Sequence, residues 1–180
     1  LEKQMWWGTD KLVTVYKGHD LAWYQQPAAD LGALKLPAGA FKVAMVANLR
    51  AHKGLHVLIA ATHHLPDEAP IHILLVGPKP DDPAVLQAIS KARHPERIHV
   101  LGYRDDAPEV AAACDIIVLP TTKREGLARA VVEAMAYGRP AVISNSGGNA
   151  ELVADGESGF VVPVDDAKAL AEGITKLWAD

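Results

Sequence analysis

Residues 115–140 read DIIVLPTTKREGLARAVVEAMAYGRP. The opening of this stretch, up to Pro120, is a short apolar run rich in β-branched residues, which predicts a buried strand. From Leu127 onward the apolar residues recur at helical spacing, and Gly138 and Pro140 supply a signal that ends a helix. A helix that begins just past the carboxyl end of a parallel strand directs its free N–H groups into the crevice where open α/β sheets bind ligands. The stretch therefore predicts an anion site.

Two acidic residues, Glu125 and Glu133, flank this predicted site. One interpretation is an extended ligand whose diphosphate lies on the helix end while hydroxyl groups on either side meet the two carboxylates; sugars supply such hydroxyls. The alternative is structural. In that case Glu125 is an acid of the first helical turn, favoured by the helix dipole, and Glu133 pairs with Arg129 at i, i+4 spacing.

Composition excludes several classes of protein. The chain has 180 residues, 49% of them apolar, and a formal net charge of −4, which fits one well-buried α/β domain and is short for two. It has no basic tract of the kind that binds nucleic acid and no apolar run as long as a membrane span. A single cysteine, Cys114, cannot form an internal disulfide and favours a reducing compartment. The opening Leu1 suggests a segment of a longer protein.

From Phe41 onward the pattern alternates between strands and helices, which predicts a doubly wound, Rossmann-like parallel sheet of about six strands. The predicted strands span 41–47, 71–76, 97–101, 115–120, 141–144 and 159–162. The predicted helices span 54–65, 83–93, 107–113, the stretch after Glu125, and 165–178, the last capped by Asp165 or Asp166.

The segment before Phe41 lacks a sustained period. Residues 12–16 favour a short strand and residues 17–20 a turn. Aromatic residues are concentrated here, and either they pack on the domain or they form a surface that a partner covers. These residues are Trp6, Trp7, Trp23 and Tyr24.

Two further loops fall at carboxyl ends of predicted strands. The loop after the first strand carries Arg50 and Lys53 directly before a helix, where they can neutralise a diphosphate. Gly147 and Gly148 follow the fifth strand, so the backbone there can approach a ligand closely, or the pair is a plain flexible turn. The histidines lie at helix-face spacing without a nearby acid or cysteine and predict no metal site. They are His52, His56, His63 and His64.

Three motifs in order resemble those of the retaining glycosyltransferases of family 4, which have the GT-B fold. The first is Lys53-Gly54, the second is the E-x7-E pair of Glu125 and Glu133 continuing through residues 134–140, and the third is the run from Gly147 to Pro163. The resemblance covers nearly the whole chain, from about Val13 to the end. One E-x7-E pair alone is a weak signal, whereas three motifs in order are specific.

The resemblance implies a role for each motif. Lys53 and Arg50 would offset charge on the leaving diphosphate, helped by the backbone amides of Arg129 and Ala130. Relatives commonly carry an arginine five residues before the lysine; Asn48 stands there in this chain, and Arg50 is predicted to replace it.

Glu125 would orient the donor sugar and Glu133 the ribose. The base would lie at the loop containing Tyr103 and Arg104. The remaining predicted donor contacts are Gly126, Gly147 and Gly148. No nucleophile is implied, because retention in this family is usually explained by front-face attack. Family 4 enzymes generally work without a bound metal, so neither a metal nor a cofactor is implied.

The resemblance also implies partners and a division of the chain. Residues 1–40 would be an interdomain linker and leading segment, and residues 41–180 the domain that binds a UDP- or GDP-linked sugar. An N-terminal acceptor domain is missing, and through it the protein would touch the inner face of a membrane from the cytoplasm. Two alternatives remain at this point: a GT-B sugar-nucleotide epimerase, and a non-catalytic nucleotide-binding α/β module such as a receiver domain.

Overall fold

The computed structural model describes residues 13, 15–16, 18–48, 50–77 and 79–180. The strands are β1 (Phe41–Val46), β2 (Ile71–Val76), β3 (Ile98–Gly102), β4 (Ile116–Leu119), β5 (Ala141–Ser144) and β6 (Gly159–Val162). The α-helices are α1 (Leu55–Ala61), α2 (Pro83–Ile89), α3 (Ala107–Ala112), α4 (Arg129–Ala136) and α5 (Ala167–Ala179). Short 3₁₀ helices span Leu21–Tyr24, Gly32–Leu34, Ala51–Lys53, Thr62–His64, Pro95–Arg97 and Asn149–Glu151.

The six strands form one parallel sheet in the order β3-β2-β1-β4-β5-β6. Val43 of β1 lies opposite Ile73 of β2 on one side and Ile116 of β4 on the other. Every residue of β2, β4 and β5 is buried, as expected where helices cover both faces of a parallel sheet. The predicted fold class, a doubly wound Rossmann-like sheet, is confirmed.

Helices cover both faces of the sheet. Helices α1, α2 and α5 close the larger core, and α3 and α4 close a second core on the opposite face. Burying one Leu, Ile or Val side chain contributes about 1.5–3 kcal/mol, so these two cores dominate the free energy of folding. The largest fully buried side chains are Met45, Leu58, Leu74, Leu75, Ile116, Ile117, Ile143, Leu170 and Ile174.

Helices α1 and α2 are shorter than predicted, and the hydroxyl of Thr62 forms hydrogen bonds that join the segments following them. Helix α1 stops at Ala61, where the Thr62 hydroxyl donates to the Ile59 carbonyl at 2.6 Å. The same hydroxyl accepts from the Arg93 amide at 3.0 Å, beyond the end of α2 at Ile89. The chain continues past α1 as the 3₁₀ helix Thr62–His64, and the Thr62 hydroxyl joins this turn to the segment after α2.

Helix α5 begins two residues later than predicted. Asp165 has a φ of 62°, outside the helical region, and the Asp166 carboxylate accepts from the Ala169 amide at 2.9 Å. Asp166 is therefore the cap, and Asp165 is not.

In the segment before Phe41, the strand predicted over 12–16 is absent from the residues that the structure describes there. Leu12 and Thr14 lie outside the described residues, while Val13, Val15 and Tyr16 belong to no strand and are 86%, 86% and 59% exposed.

Of the turn predicted over 17–20, Lys17 lies outside the described residues, and residues 18–20 belong to no turn. Trp6 and Trp7 also lie outside the described residues. The other two aromatic residues differ from each other. Trp23 is exposed, whereas Tyr24 is buried with its ring edge against Tyr137, 6.0 Å between centroids. Tyr24 therefore packs on the domain, and an aromatic surface covered by a partner stays a prediction.

Among the described helices, none combines the length and the apolar character needed to cross a membrane.

Candidate functional site

The strand order creates a crevice between β1 and β4. The chain leaves β1 toward β2 on one side and leaves β4 toward β5 on the other, so the loops that follow β1 and β4 diverge at the carboxyl edge of the sheet. Ligands of open α/β sheets bind at such a switch point. The loop at 47–54 and the loop at 120–128 therefore form the candidate site.

The loop after β1 is fastened to the loop after β4. The His52 carbonyl accepts from the Thr121 hydroxyl and the Thr122 amide, both at 2.8 Å. Gly54 has a φ of 82°, and a Cβ there would lie 1.8 Å from the Pro120 carbonyl oxygen, so only glycine permits this approach. Lys53, between His52 and Gly54, is thereby held at the mouth of the crevice.

Lys53 and Glu125, predicted from separate motifs, are brought together. The Lys53 ammonium group donates to Glu125 Oε1, and the two side chains are 16% and 20% exposed. Glu125 Oε2 is buried and accepts no hydrogen bond from the described residues. The pair thus places one cation and one carboxylate oxygen at the crevice in fixed positions.

Helix α4 starts four residues after Glu125, so the alternative in which Glu125 is an acid of the first helical turn is wrong. Ala128 is the N-cap, and the first hydrogen bond inside the helix joins the Val131 amide to the Ala128 carbonyl at 3.0 Å. The N–H groups of Arg129 and Ala130 donate to none of the described residues. They are the donors that a helix N-terminus offers to an anion.

Glu133, in the second turn of α4, is paired with Arg129. Arg129 Nε donates to Glu133 Oε1 at 2.6 Å, and the side chains are 70% and 8% exposed. The hydrogen bond and the charge of Glu133 raise the pKa of Arg129. The i, i+4 pair considered in the sequence is thus present, and the ribose contact of Glu133 stays a prediction.

Tyr24 covers the same part of α4. Burial, followed by the negative charge of Glu133, raises the pKa of Tyr24. Its hydroxyl lies 2.6 Å from His19 Nδ1. Neither residue was singled out as a site residue in the sequence, because the residues before Phe41 show no pattern that predicts packing on α4.

Gly147 and Gly148 pack against Glu125. Gly147 and Glu125 form a parallel β-bridge, and the Gly148 amide donates to the Glu125 carbonyl at 2.9 Å. A Cβ on Gly147 would lie 2.0 Å from that carbonyl oxygen. The missing side chain of Gly147 thus makes room for Glu125, and a direct donor contact stays a prediction for both glycines.

Three side chains that the sequence interpretation missed stabilise this arrangement. Ser144 and Ser146 donate from their hydroxyls to the carbonyls of Thr121 and Lys123 at 2.5 and 2.6 Å. Asn149 is fully buried and its Oδ1 accepts from the Ala128 amide at 3.0 Å. This hydrogen bond joins Asn149 to the N-cap residue of α4, which lies before it in the chain, and no local sequence pattern reveals such a pairing.

The other predicted site residues lie further out. Arg50 is exposed, and the structure shows no ion pair for it among the described residues. Gly126 is exposed, with nothing within 4 Å of an added Cβ.

Tyr103 is 79% exposed at the end of β3, two strands from β1, or roughly 10 Å at the usual strand spacing. Arg104 forms two hydrogen bonds with Asp106, at 2.7 and 2.6 Å, which raise the pKa of Arg104 and lower that of Asp106.

Within the described ranges, no three His, Cys, Asp or Glu side chains converge as metal ligands would.

Sequence comparison identifies the family. A family model described as glycosyl transferases group 1 matches residues 40–180. The chain is 29% identical over 153 residues to the lipopolysaccharide core biosynthesis glycosyltransferase LpsE of Rhizobium meliloti; the match covers 85% of this chain and 44% of that protein. The chain thus spans less than half the length of this curated relative.

Two solved structures share the fold. Anabaena Alr3699/HepE, crystallised with UDP and glucose, has a TM-score of 0.78 and 30% identity, with 92% of this chain and 47% of that chain covered. The C-terminal domain of the group 1 glycosyl transferase LpcC from Francisella tularensis has a TM-score of 0.73, with 91% of this chain and 89% of that chain covered; at 23% identity this likeness shows the fold alone. With the family model matched over the whole sheet, this chain belongs to the group 1 glycosyltransferases, and its fold is that of a GT-B Rossmann-like half, as the motifs predict.

Proposed function

We propose that this chain is the donor-binding domain of a retaining glycosyltransferase and that its donor is a UDP-linked sugar. The observation that carries the proposal is the meeting, at the switch point of the sheet, of Lys53 and Glu125 beside the unpaired first amides of α4. A cation, a helix N-terminus and a carboxylate are the groups needed to bind a diphosphate that is joined to a hydroxyl-rich sugar.

The diphosphate lies on the start of α4 in this proposal. The N–H groups of Arg129 and Ala130 donate to phosphate oxygens, and the positive end of the helix dipole favours the negative charge. Lys53, already fixed by Glu125, neutralises charge that builds on the diphosphate as the bond to the sugar breaks. Arg50, exposed on the same loop, adds a second cation.

The two acids bind the two ends of the donor. Glu125 uses one oxygen for Lys53 and keeps Oε2 to accept from a sugar hydroxyl. Glu133, held by Arg129, accepts from the ribose. The base extends toward the loop after β3, where backbone groups near Tyr103 and Arg104 contact it.

We choose UDP over GDP as the nucleotide of the donor because a similar protein binds UDP. HepE has been crystallised with UDP and with UDP-glucose, and it is 30–31% identical to this chain over at least 90% of the chain. The family model covers residues 40–180 and therefore all the site-forming segments.

Catalysis requires more than this chain. Relatives are about twice as long, and in a GT-B enzyme the acceptor binds on the other half of the protein. Holding donor and acceptor together lowers a barrier by roughly 7–11 kcal/mol, so the isolated chain should bind donor and transfer no sugar. The acceptor half would also supply any peripheral membrane contact, and we assign no nucleophile to this half.

Calorimetry with UDP, GDP and UDP-glucose tests the proposal. At about 100 times the dissociation constant, a ligand that binds only the folded state stabilises it by about 2.7 kcal/mol, so thermal unfolding gives a second measurement. Lys53→Ala should weaken UDP tenfold or more, and Lys91→Ala, which removes an exposed lysine near the end of α2, should not. The proposal would be contradicted if neither UDP nor GDP, at millimolar concentration, gave a heat of binding or changed the melting temperature.

A further inference from the structure

Two buried polar atoms beside the crevice are unpartnered among the described residues. They are Glu125 Oε2 and Asn149 Nδ2. The first has only acceptor capacity as a carboxylate, and the second has only donor capacity as an amide nitrogen. Buried polar atoms are almost always hydrogen-bonded in native proteins, so both indicate a partner.

The two residues belong to segments that are joined. Glu125 pairs with Gly147 in the isolated β-bridge, and the Gly148 amide donates to the Glu125 carbonyl at 2.9 Å. Asn149 follows directly and donates no side-chain hydrogen bond within the part of the chain that the structure describes. The bridge therefore fixes both residues in one rigid unit at the carboxyl edge of the sheet.

The orientation of the Asn149 amide is determined by the backbone of Ala128. Asn149 Oδ1 accepts from the Ala128 N–H at 3.0 Å, and the opposite orientation would place an NH₂ group against an N–H donor. Nδ2 is therefore the atom that remains for another partner. Asn149 is 0% exposed, so that partner is either one ordered water or a ligand group that the surrounding side chains admit.

We propose that Asn149 is a further donor-binding residue: its Nδ2 donates to a hydroxyl of the transferred sugar, and Glu125 Oε2 accepts from the same sugar. A hydroxyl group both donates and accepts, so a sugar complements this pair, whereas a nucleoside diphosphate without sugar leaves it unused. This inference rests on the proposed function and adds to it a residue outside the E-x7-E pair.

Asn149→Asp separates the roles of the two atoms of the side chain. The variant keeps an oxygen that can accept from the Ala128 amide and removes the Nδ2 donor. Asn145→Asp is the matched control, because it adds the same charge on the same loop at an exposed position. The measured quantity is the ratio of the dissociation constant of UDP to that of a UDP-sugar, obtained by calorimetry. Repulsion of the diphosphate by an added charge affects both ligands and cancels in the ratio.

The probe is whichever of UDP-glucose, UDP-galactose and UDP-N-acetylglucosamine the unmodified chain binds most tightly. Asn149→Asp should lower the ratio about tenfold, and Asn145→Asp should leave it unchanged. An unchanged ratio in Asn149→Asp, with UDP still bound, would overturn the role of Asn149 and leave the proposed function intact; a buried water would then be the partner. Absence of UDP binding by the unmodified chain would overturn both.

A second measurement needs no variant of the protein. Monodeoxy analogues of the chosen UDP-sugar should include one whose affinity for the unmodified chain falls about tenfold. If Asn149→Asp folds, the loss of affinity caused by that deoxy substitution should be smaller in the variant than in the unmodified chain, because the variant has already lost the Nδ2 donor. Full affinity for every monodeoxy analogue would refute the inference even if Asn149→Asp does not fold.

Discussion

Gly147→Ala should destabilise the protein strongly, because two separate costs act at this position. Gly147 has a φ of 66°, and an added Cβ would lie 2.0 Å from the Glu125 carbonyl oxygen and 2.8 Å from its nitrogen. The left-handed conformation costs an L-residue about 1–2 kcal/mol, and an overpacked contact costs about 1–3 kcal/mol more. The expected loss of unfolding free energy is therefore roughly 2–5 kcal/mol.

Two other glycines separate these costs. Gly138 has a φ of 72° and nothing within 4 Å of an added Cβ, so Gly138→Ala should show only the conformational cost, about 1–2 kcal/mol. Gly126 has neither a positive φ nor a neighbour within 4 Å, so Gly126→Ala should change the free energy by no more than about 0.5 kcal/mol.

Urea unfolding followed by circular dichroism measures all three variants, with the slope of the transition checked for constancy. In thermal unfolding, each kcal/mol lowers the melting temperature by about 2–4 °C in a protein of this size. The reasoning is refuted if Gly147→Ala is no less stable than Gly138→Ala, because the contact with Glu125 would then not be tight.

The remaining predictions concern titration, thiol reactivity and ligand binding. His72 Nδ1 and His99 Nε2 lie 3.0 Å apart, and burial lowers the pKa of both residues; the unfolded chain then binds more protons below about pH 6.5. The stability that this pair confers should be complete above that pH and fall as the pH decreases. His99→Gln should flatten this dependence in urea titrations at several pH values, the exposed control His64→Gln should not, and a loss of equal size in both variants would exclude the pair as the cause. Burial raises the pKa of Cys114 to about 12, so iodoacetamide at pH 8 should label it only after unfolding, and rapid labelling of the native chain would contradict its burial. Glu133→Ala should weaken UDP by about 1.5–3 kcal/mol in calorimetry, whereas Glu125→Ala should reduce only the additional affinity that the sugar provides; equal losses of both ligands in both variants would favour a structural role for the acids.

The spacing of apolar residues, together with the Pro and Gly residues that end strands and helices, predicts most of the fold. Strands β2, β5 and β6 have the predicted bounds, because Pro and Gly delimit short apolar runs there. Helix ends are predicted less well. The ends of α1 and α2 depend on the hydroxyl of Thr62 meeting the amide of Arg93, a tertiary contact that no local pattern contains.

The sequence predicted individual residues of the candidate site but not the contacts between them. The motifs single out Lys53 and Glu125, but their ion pair joins residues far apart in the chain and depends on β1 lying beside β4. The role of Gly147 was predicted as room for a ligand, and the structure shows that the room is taken by Glu125. Asn149 was missed because its hydrogen bond with the Ala128 amide is a tertiary contact, which leaves no periodic signal.

The central claim is that a nucleotide diphosphate binds at the start of α4, and amide chemical shifts of the ¹⁵N-labelled chain test it most directly. A domain of this fold, the LpcC C-terminal domain, has been crystallised by itself. Addition of UDP should produce the largest shifts at the backbone amides of Arg129 and Ala130 and at the loop around Lys53. Smaller shifts should appear near Tyr103. Shifts confined to another surface, such as the cleft between Phe160 and Lys176 near the end of α5, would contradict the account.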